Sequence, residues 1–170
     1  TGYAHLLEHL MFEGSVNIPN YDIHVQLAGG ENNAWTNNDL TNYYITIPKS
    51  NVETAFWLES DRMLGLALTE QSVKVQKEVV IEEFKQQHLN RPYGDVQHLI
   101  RALAYKVHPY RWPTIGITPQ HIEQATRDSI MQFYHRYYTP GNAILSVVGN
   151  ISFDEVVQMA EKWFGSIENK

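Results

Sequence analysis

Near the start of the chain stand two histidines one helical turn apart, with a glutamate just before the second: His5-Leu6-Leu7-Glu8-His9. At about 100° per residue, His9 lies about 40° from His5 on a helical wheel and Glu8 about 60° away on the other side, so all three leave one face. Two imidazoles placed this way can grip one divalent cation. Zinc takes nitrogens at about 2.0–2.1 Å and, in catalytic sites, a third protein ligand, with the fourth position open to water. A carboxylate beside that position, here Glu8, can take the proton of the attacking water. The chain contains no cysteine, so any metal it holds must be ligated by His, Asp or Glu. None of its other histidines has a partner four residues away.

The third ligand has to come from a long element able to pack against this first helix. Residues 69 to 88 carry the most regular helical pattern in the sequence and offer three carboxylates, Glu78, Glu82 and Glu83. With Glu83 as the wheel origin, Val80, Val73 and Phe84 fall about 60° to 100° to one side, so Glu83 borders the apolar stripe, whereas Glu82 turns toward solvent. A carboxylate beside valines is costly unless it is paired or metal-bound, which favours Glu83. Gln76, on the same face, is placed to hydrogen-bond a ligand from behind.

The elements that must position these groups follow from periodicity and punctuation. An opening helix is expected over residues 3 to 12, starting abruptly, as in a fragment whose preceding strand is missing. Asn20 is expected to cap a second helix that ends at Gly29-Gly30. Residues 32–37 and 40–47 read as a hairpin about the Asn38-Asp39 turn, closed by Pro48. Helices are predicted over 51–64, 69–88, 95–105 and in pieces from 119 to 138, with Asn90-Arg91-Pro92 and Pro140-Gly141 as breaks. Ala143 to Val148, a continuous apolar run, reads as a strand, and Ser152 or Asp154 starts a final amphipathic helix. These readings give an α+β fold, mainly antiparallel sheet packed with helices, with residues 1–170 forming one incomplete domain.

Composition narrows the partners. With 170 residues, 43% hydrophobic, the chain is long enough for a globular core. Its 13 Lys and Arg against 19 Asp and Glu give a net charge of -6, which argues against nucleic acid as a partner. No apolar run reaches the length of a membrane span, and a soluble protein, cytoplasmic or periplasmic, is expected. Among the remaining histidines, His24, His88, His98, His121 and His135 read as ordinary helix residues, and His108 as a structural loop residue.

Over its whole length the sequence resembles the inverzincin peptidases of the pitrilysin family, which include insulysin and the mitochondrial processing peptidase β subunit. Gly2-x-Ala4-His5-x-Leu7-Glu8-His9-Leu10-x-Phe12-x-Gly14 is similar to that family's active-site helix. Asn33-Ala34-x-Thr36 and Asp39-x-Thr41-x-Tyr43 resemble its substrate-binding edge strand and the partner of that strand. Val79-Val80-Ile81-Glu82-Glu83 resembles the segment whose last glutamate completes the zinc site. Further along, His108-Pro109-Tyr110 to Gly116 and Tyr138-x-Pro140-x-Asn142 match downstream landmarks.

The resemblance implies a metalloendopeptidase in which His5, His9 and Glu83 hold one Zn2+ and Glu8 activates water. An extended peptide substrate would add as a strand along Asn33, Ala34 and Thr36. It also implies a second homologous peptidase half or partner subunit, so the isolated chain is expected to bind zinc weakly and cleave little. Where the family carries a glutamate seven residues before the metal-binding one, this chain has Gln76, which can hydrogen-bond a histidine but adds no charge. The alternative reading is a non-catalytic scaffold or regulatory subunit of a heteromeric peptidase complex.

Overall fold

A computed structural model describes residues 1–169. In chain order the elements are α1 (Tyr3–Leu10), α2 (Tyr21–Leu27), β1 (Glu31–Thr36), β2 (Thr41–Thr46), α3 (Val52–Leu64), α4 (Glu70–Phe84), α5 (Val96–Ala104), α6 (Pro119–Glu123), α7 (Arg127–Tyr137) and α8 (Phe153–Phe164). The fold is α+β. Among the described residues its sheet is one antiparallel hairpin, β1 with β2, and helices supply most of the rest.

Local chemistry accounts for most boundaries. The Asn20 side chain accepts the Ile23 amide at the start of α2. Thr69 and Ser72 form a reciprocal capping box at α4, as do Ser152 and Glu155 at α8, each satisfying amides that the first helical turn leaves without a partner. Helix α4 does not run straight through to His88. After Phe84 it widens into a π-helical turn, Lys85–Leu89, closed by the Asn90 amide on the Lys85 carbonyl at 2.8 Å.

One expected strand is not formed. Residues 143–148 are irregular and largely exposed, with Ile144 97% and Val148 95% accessible. An apolar β-branched run favours extended backbone, but a strand exists only through a ladder, and among the described residues no strand or bridge pairs with this segment.

The chain divides into two compact units, each with its own buried residues. The first comprises Thr1–Leu10, Ala34–Asn42 and Thr69–Ile130. In it α1 packs on α4, and α4 also packs on α6. Leu6, Leu7 and Leu10 of α1 are fully buried, as is Val80 of α4, with Val73 and Phe84 nearly so. Each such burial is worth about 1.5–3 kcal/mol. Gly2 fits this close approach: it has φ +88°, and a β-carbon there would lie 2.8 Å from the Ile115 carbonyl oxygen and from Ile122 Cδ1.

The hairpin tip, residues 37–40, belongs to the same unit and is fastened by α5 and by the segment after it. Arg101 Nη1 donates to Asn38 Oδ1 at 2.8 Å, and the Tyr110 hydroxyl donates to Asp39 Oδ1 at 2.5 Å.

The second unit, residues 11–33, 43–68 and 131–169, has an ionic centre under aromatic cover. Arg62 is 2% exposed. Its Nε donates to Glu59 Oε2 at 2.9 Å and its Nη2 to Glu59 Oε1 at 2.6 Å. The guanidinium lies 4.3 Å from the Tyr21 ring centroid, 4.5 Å from that of Tyr43 and 5.5 Å from that of Phe12. Next to it, Asp61 accepts from the Ser15 hydroxyl, from the Asn17 amide at 3.1 Å and from Asn17 Nδ2 at 2.6 Å.

Candidate metal and active site

Helix α1 is buried on its leucine side, so the 3.6-residue period leaves His5, Glu8 and His9 together on the half-buried opposite side. The two imidazole rings stand edge to face, 4.8 Å between centroids at 84°. Both aim Nε2 at the same atom: Glu83 Oε2 lies 3.6 Å from His5 Nε2 and 3.5 Å from His9 Nε2. Glu83 comes from α4 because Val80 and Phe84 on the same helix bury the stripe next to it, while Glu82 is exposed. The sequence-predicted trio is therefore brought together by the packing of α1 on α4.

The three groups are electrostatically coupled. Burial pulls His5 below the ordinary imidazole range, against the attraction of Glu83 and Glu8. His9 moves the other way, mainly through its hydrogen bond with Glu83, and contact with Gln76 also raises it. Glu83 is held below the usual carboxylate range, first by His9 and then, against burial, by His5. Its other oxygen, Oε1, accepts from Gln87 Nε2 at 2.6 Å.

The donor set fits zinc. Three ligands about 2.0–2.2 Å from a tetrahedral ion lie about 3.4 Å apart. One ligand atom from each of His5, His9 and Glu83 can be chosen so that all lie within 4.8 Å of one another, and these three form the only such cluster among the described residues. Two imidazole nitrogens and one carboxylate oxygen are also ligand types that zinc takes. His5 Nδ1, on the far side of its ring, is buried without a hydrogen-bond partner, whereas His9 has Gln76.

Glu8 stands beside this trio and not within it. Its Oε2 accepts the Thr36 hydroxyl of β1, and Thr36 Oγ1 lies 3.1 Å from Thr41 Oγ1 of β2. Along β1 the burial alternates: Ala34 and Thr36 are half-buried, and Asn33 points to solvent. Sequence reasoning had Thr36 as a substrate contact and missed its bond to Glu8. Strand periodicity places Thr36 on a face but cannot say what that face meets. Arg101 was also missed, and nothing in its spacing marks a residue that clamps a distant turn.

Of the six remaining histidines, His24 and His135 make ring contacts with Trp57 and Tyr134, and the other four have hydrogen-bond contacts. His121 Nδ1 is 2.6 Å from Thr1 Oγ1, His88 Nδ1 is 2.8 Å from the Gly94 carbonyl oxygen, His98 Nε2 is 3.3 Å from that of Gly116, and His108 Nδ1 accepts the Tyr110 amide at 3.2 Å.

Comparison with known proteins adds a family. The family model described as insulinase (peptidase family M16) matches residues 1–117, and one described as the peptidase M16 inactive domain matches residues 124–170. The zinc protease PqqE of Helicobacter pylori is 34% identical over 99% of this chain and 38% of its own length. The probable mitochondrial-processing peptidase subunit beta of Schizosaccharomyces pombe is 31% identical over 98% of this chain and 36% of its own. A crystal structure of a protease from Helicobacter pylori superposes with a TM-score of 0.95 at 34% identity, covering 100% of this chain and 41% of that one. The chain thus spans about two-fifths of the length of the relatives it matches.

Proposed function

The chain belongs to the insulinase peptidases, family M16, and from that premise we propose that it carries the metal-binding half of a zinc-dependent endopeptidase acting on extended peptides. The observation that carries the proposal is the convergence of His5 Nε2 and His9 Nε2 on one oxygen of Glu83. These three residues would hold the metal, with Gln76 orienting His9. When bound, zinc supplies a Lewis acid and lowers the pKa of the attacking water.

Proton handling falls to Glu8. It takes the proton of the attacking water as the peptide carbonyl is attacked, and delivers it to the departing amine. The peptide lies along β1 at Asn33, Ala34 and Thr36, where main-chain hydrogen bonds read an extended shape more than a sequence. A second peptidase half, in a longer chain or on a partner subunit, completes the enzyme.

A second reading draws on residues 124–170, which match a model described as an inactive domain, and on Gln76: the chain serves as a non-catalytic subunit of a peptidase complex. One experiment separates the two. Zinc content and peptide cleavage are measured on the full-length protein, beside Glu8→Gln. The peptidase reading expects stoichiometric zinc in both and cleavage only in the wild type. Equal cleavage by both removes Glu8 from its role, and zinc without cleavage in either favours the non-catalytic subunit.

A further inference from the structure

We propose that Thr36 is a positioning residue for Glu8, its hydroxyl seated by Thr41 so that the strand offered to the peptide also fixes the proton-transferring carboxylate. The inference rests on the reading of Glu8 given above and assigns Thr36 a role that this reading lacks.

Counting protons gives the direction of the chain of bonds. A threonine hydroxyl has one hydrogen. Thr36 donates that hydrogen to Glu8 Oε2, so the 3.1 Å contact between the two threonines must be a donation from Thr41 to Thr36. The order is therefore Thr41 to Thr36 to Glu8.

Both hydroxyls are held from behind. Thr36 ends β1 and Thr41 begins β2, so they face each other at the rung before the turn, where the Asn37 amide donates to the Leu40 carbonyl at 3.0 Å. That turn is the one fastened by Arg101 on Asn38 and Tyr110 on Asp39. A β-branched side chain has few χ1 choices, which restricts Thr36 further.

The geometry also removes Thr36 from direct substrate contact through its side chain. A peptide adding to a strand edge meets main-chain amides and carbonyls, while the Thr36 hydroxyl is engaged with Glu8. A carboxylate that first accepts a proton and then gives it up must keep one orientation through both steps. A hydroxyl suits that task, because it donates to the carboxylate and can still pair with the carboxylic acid. Valine has nearly the same shape and can do neither.

The test compares full-length wild type, Thr36→Val, Thr36→Ser, Thr41→Val and Glu8→Gln on a fluorogenic peptide, with zinc content and a crystal structure of each active-site variant. Thr36→Val is expected to lower kcat by about 10- to 100-fold, the range for loss of a supporting partner, with KM within about threefold and zinc unchanged. Thr36→Ser keeps the hydroxyl and restores kcat to within about threefold. Thr41→Val gives a smaller fall in kcat of the same kind, and decides the matter if Thr36→Val does not fold. In the Thr36→Val crystal the Glu8 carboxylate leaves its wild-type rotamer.

An unchanged kcat in both valine variants, or a rise in KM at constant kcat, overturns the proposal. If Glu8→Gln cleaves like wild type, the reading of Glu8 fails. If Glu8→Gln is inactive while both valine variants match wild type, only the role of Thr36 fails.

Discussion

Each unit of this chain gathers charged groups at its centre, and the two centres are finished differently. In the second unit Arg62 is 2% exposed and Glu59 answers it with both oxygens. Burial works to deprotonate Arg62, but Glu59, Tyr21 and Tyr43 outweigh it and keep it charged. In the first unit His5, His9 and Glu83 have side chains 15%, 25% and 31% exposed, and two imidazoles share one carboxylate oxygen. The first arrangement is answered by its own carboxylate and aromatic rings, although Arg62 Nη1 is buried without a hydrogen-bond partner. The second brings three donor groups from two helices toward one point, each of them half-buried. A buried ion pair with its own partner marks architecture, whereas donors that converge on a common point mark a place for a ligand.

Four measurements bear on that contrast. The largest stability loss belongs to Arg62→Ala, which strands Glu59 and opens the aromatic stack. It is expected to cost about 3–5 kcal/mol in denaturant melts, with or without zinc. A loss under 1 kcal/mol would make the two centres alike. Glu83→Ala should leave the metal-free melt nearly unchanged yet abolish stoichiometric zinc, a larger affinity loss than the roughly 10- to 100-fold expected for a supporting residue. Retained tight zinc would place the third ligand elsewhere. Gln76→Leu belongs in that supporting class, with zinc affinity about tenfold weaker by competition with a chelator and the ligands intact.

The smallest effect is the pH dependence of the metal-free protein. His9 is raised in the folded state, so its contribution is complete below the ordinary histidine value near 6.5 and is lost as pH rises through the folded pKa. Glu83 is depressed, so its contribution is present above the ordinary value near 4.5 and is lost as pH falls through the folded pKa. The pair therefore stabilises most between those two values, by about 1 kcal/mol or less given its exposure. Thermal melts of wild type and Glu83→Gln should differ most in that window, and a constant difference across pH would show that the pair is not ionic.

What could be read in the sequence depended on how local its cause was. The grouping of His5, Glu8 and His9 follows from helical winding alone, and the choice of Glu83 over Glu82 followed from the stripe of Val73, Val80 and Phe84, all buried in the fold. The caps at Asn20, Thr69 and Ser152 are short-range chemistry as well. Residues 143–148 misled because a ladder is a non-local bond that an apolar run can invite but not supply. Arg62 and Asp61 escaped notice because charged residues on an amphipathic helix are expected to face water. The bond from Thr36 to Glu8 spans 28 residues, and no period links them.

The widened turn at Lys85–Leu89 follows directly after the helix that bears Glu83. A π turn takes up one residue more than ordinary α winding and so shifts the angular phase of whatever comes after it. Removing one residue from this turn should rotate His88 by about 100° away from the His98 ring, which now lies 4.3 Å from it, while leaving Glu83 in register with α1. The turn thus sets the heading of the chain beyond it, and through Gln87 it also holds the carboxylate upstream.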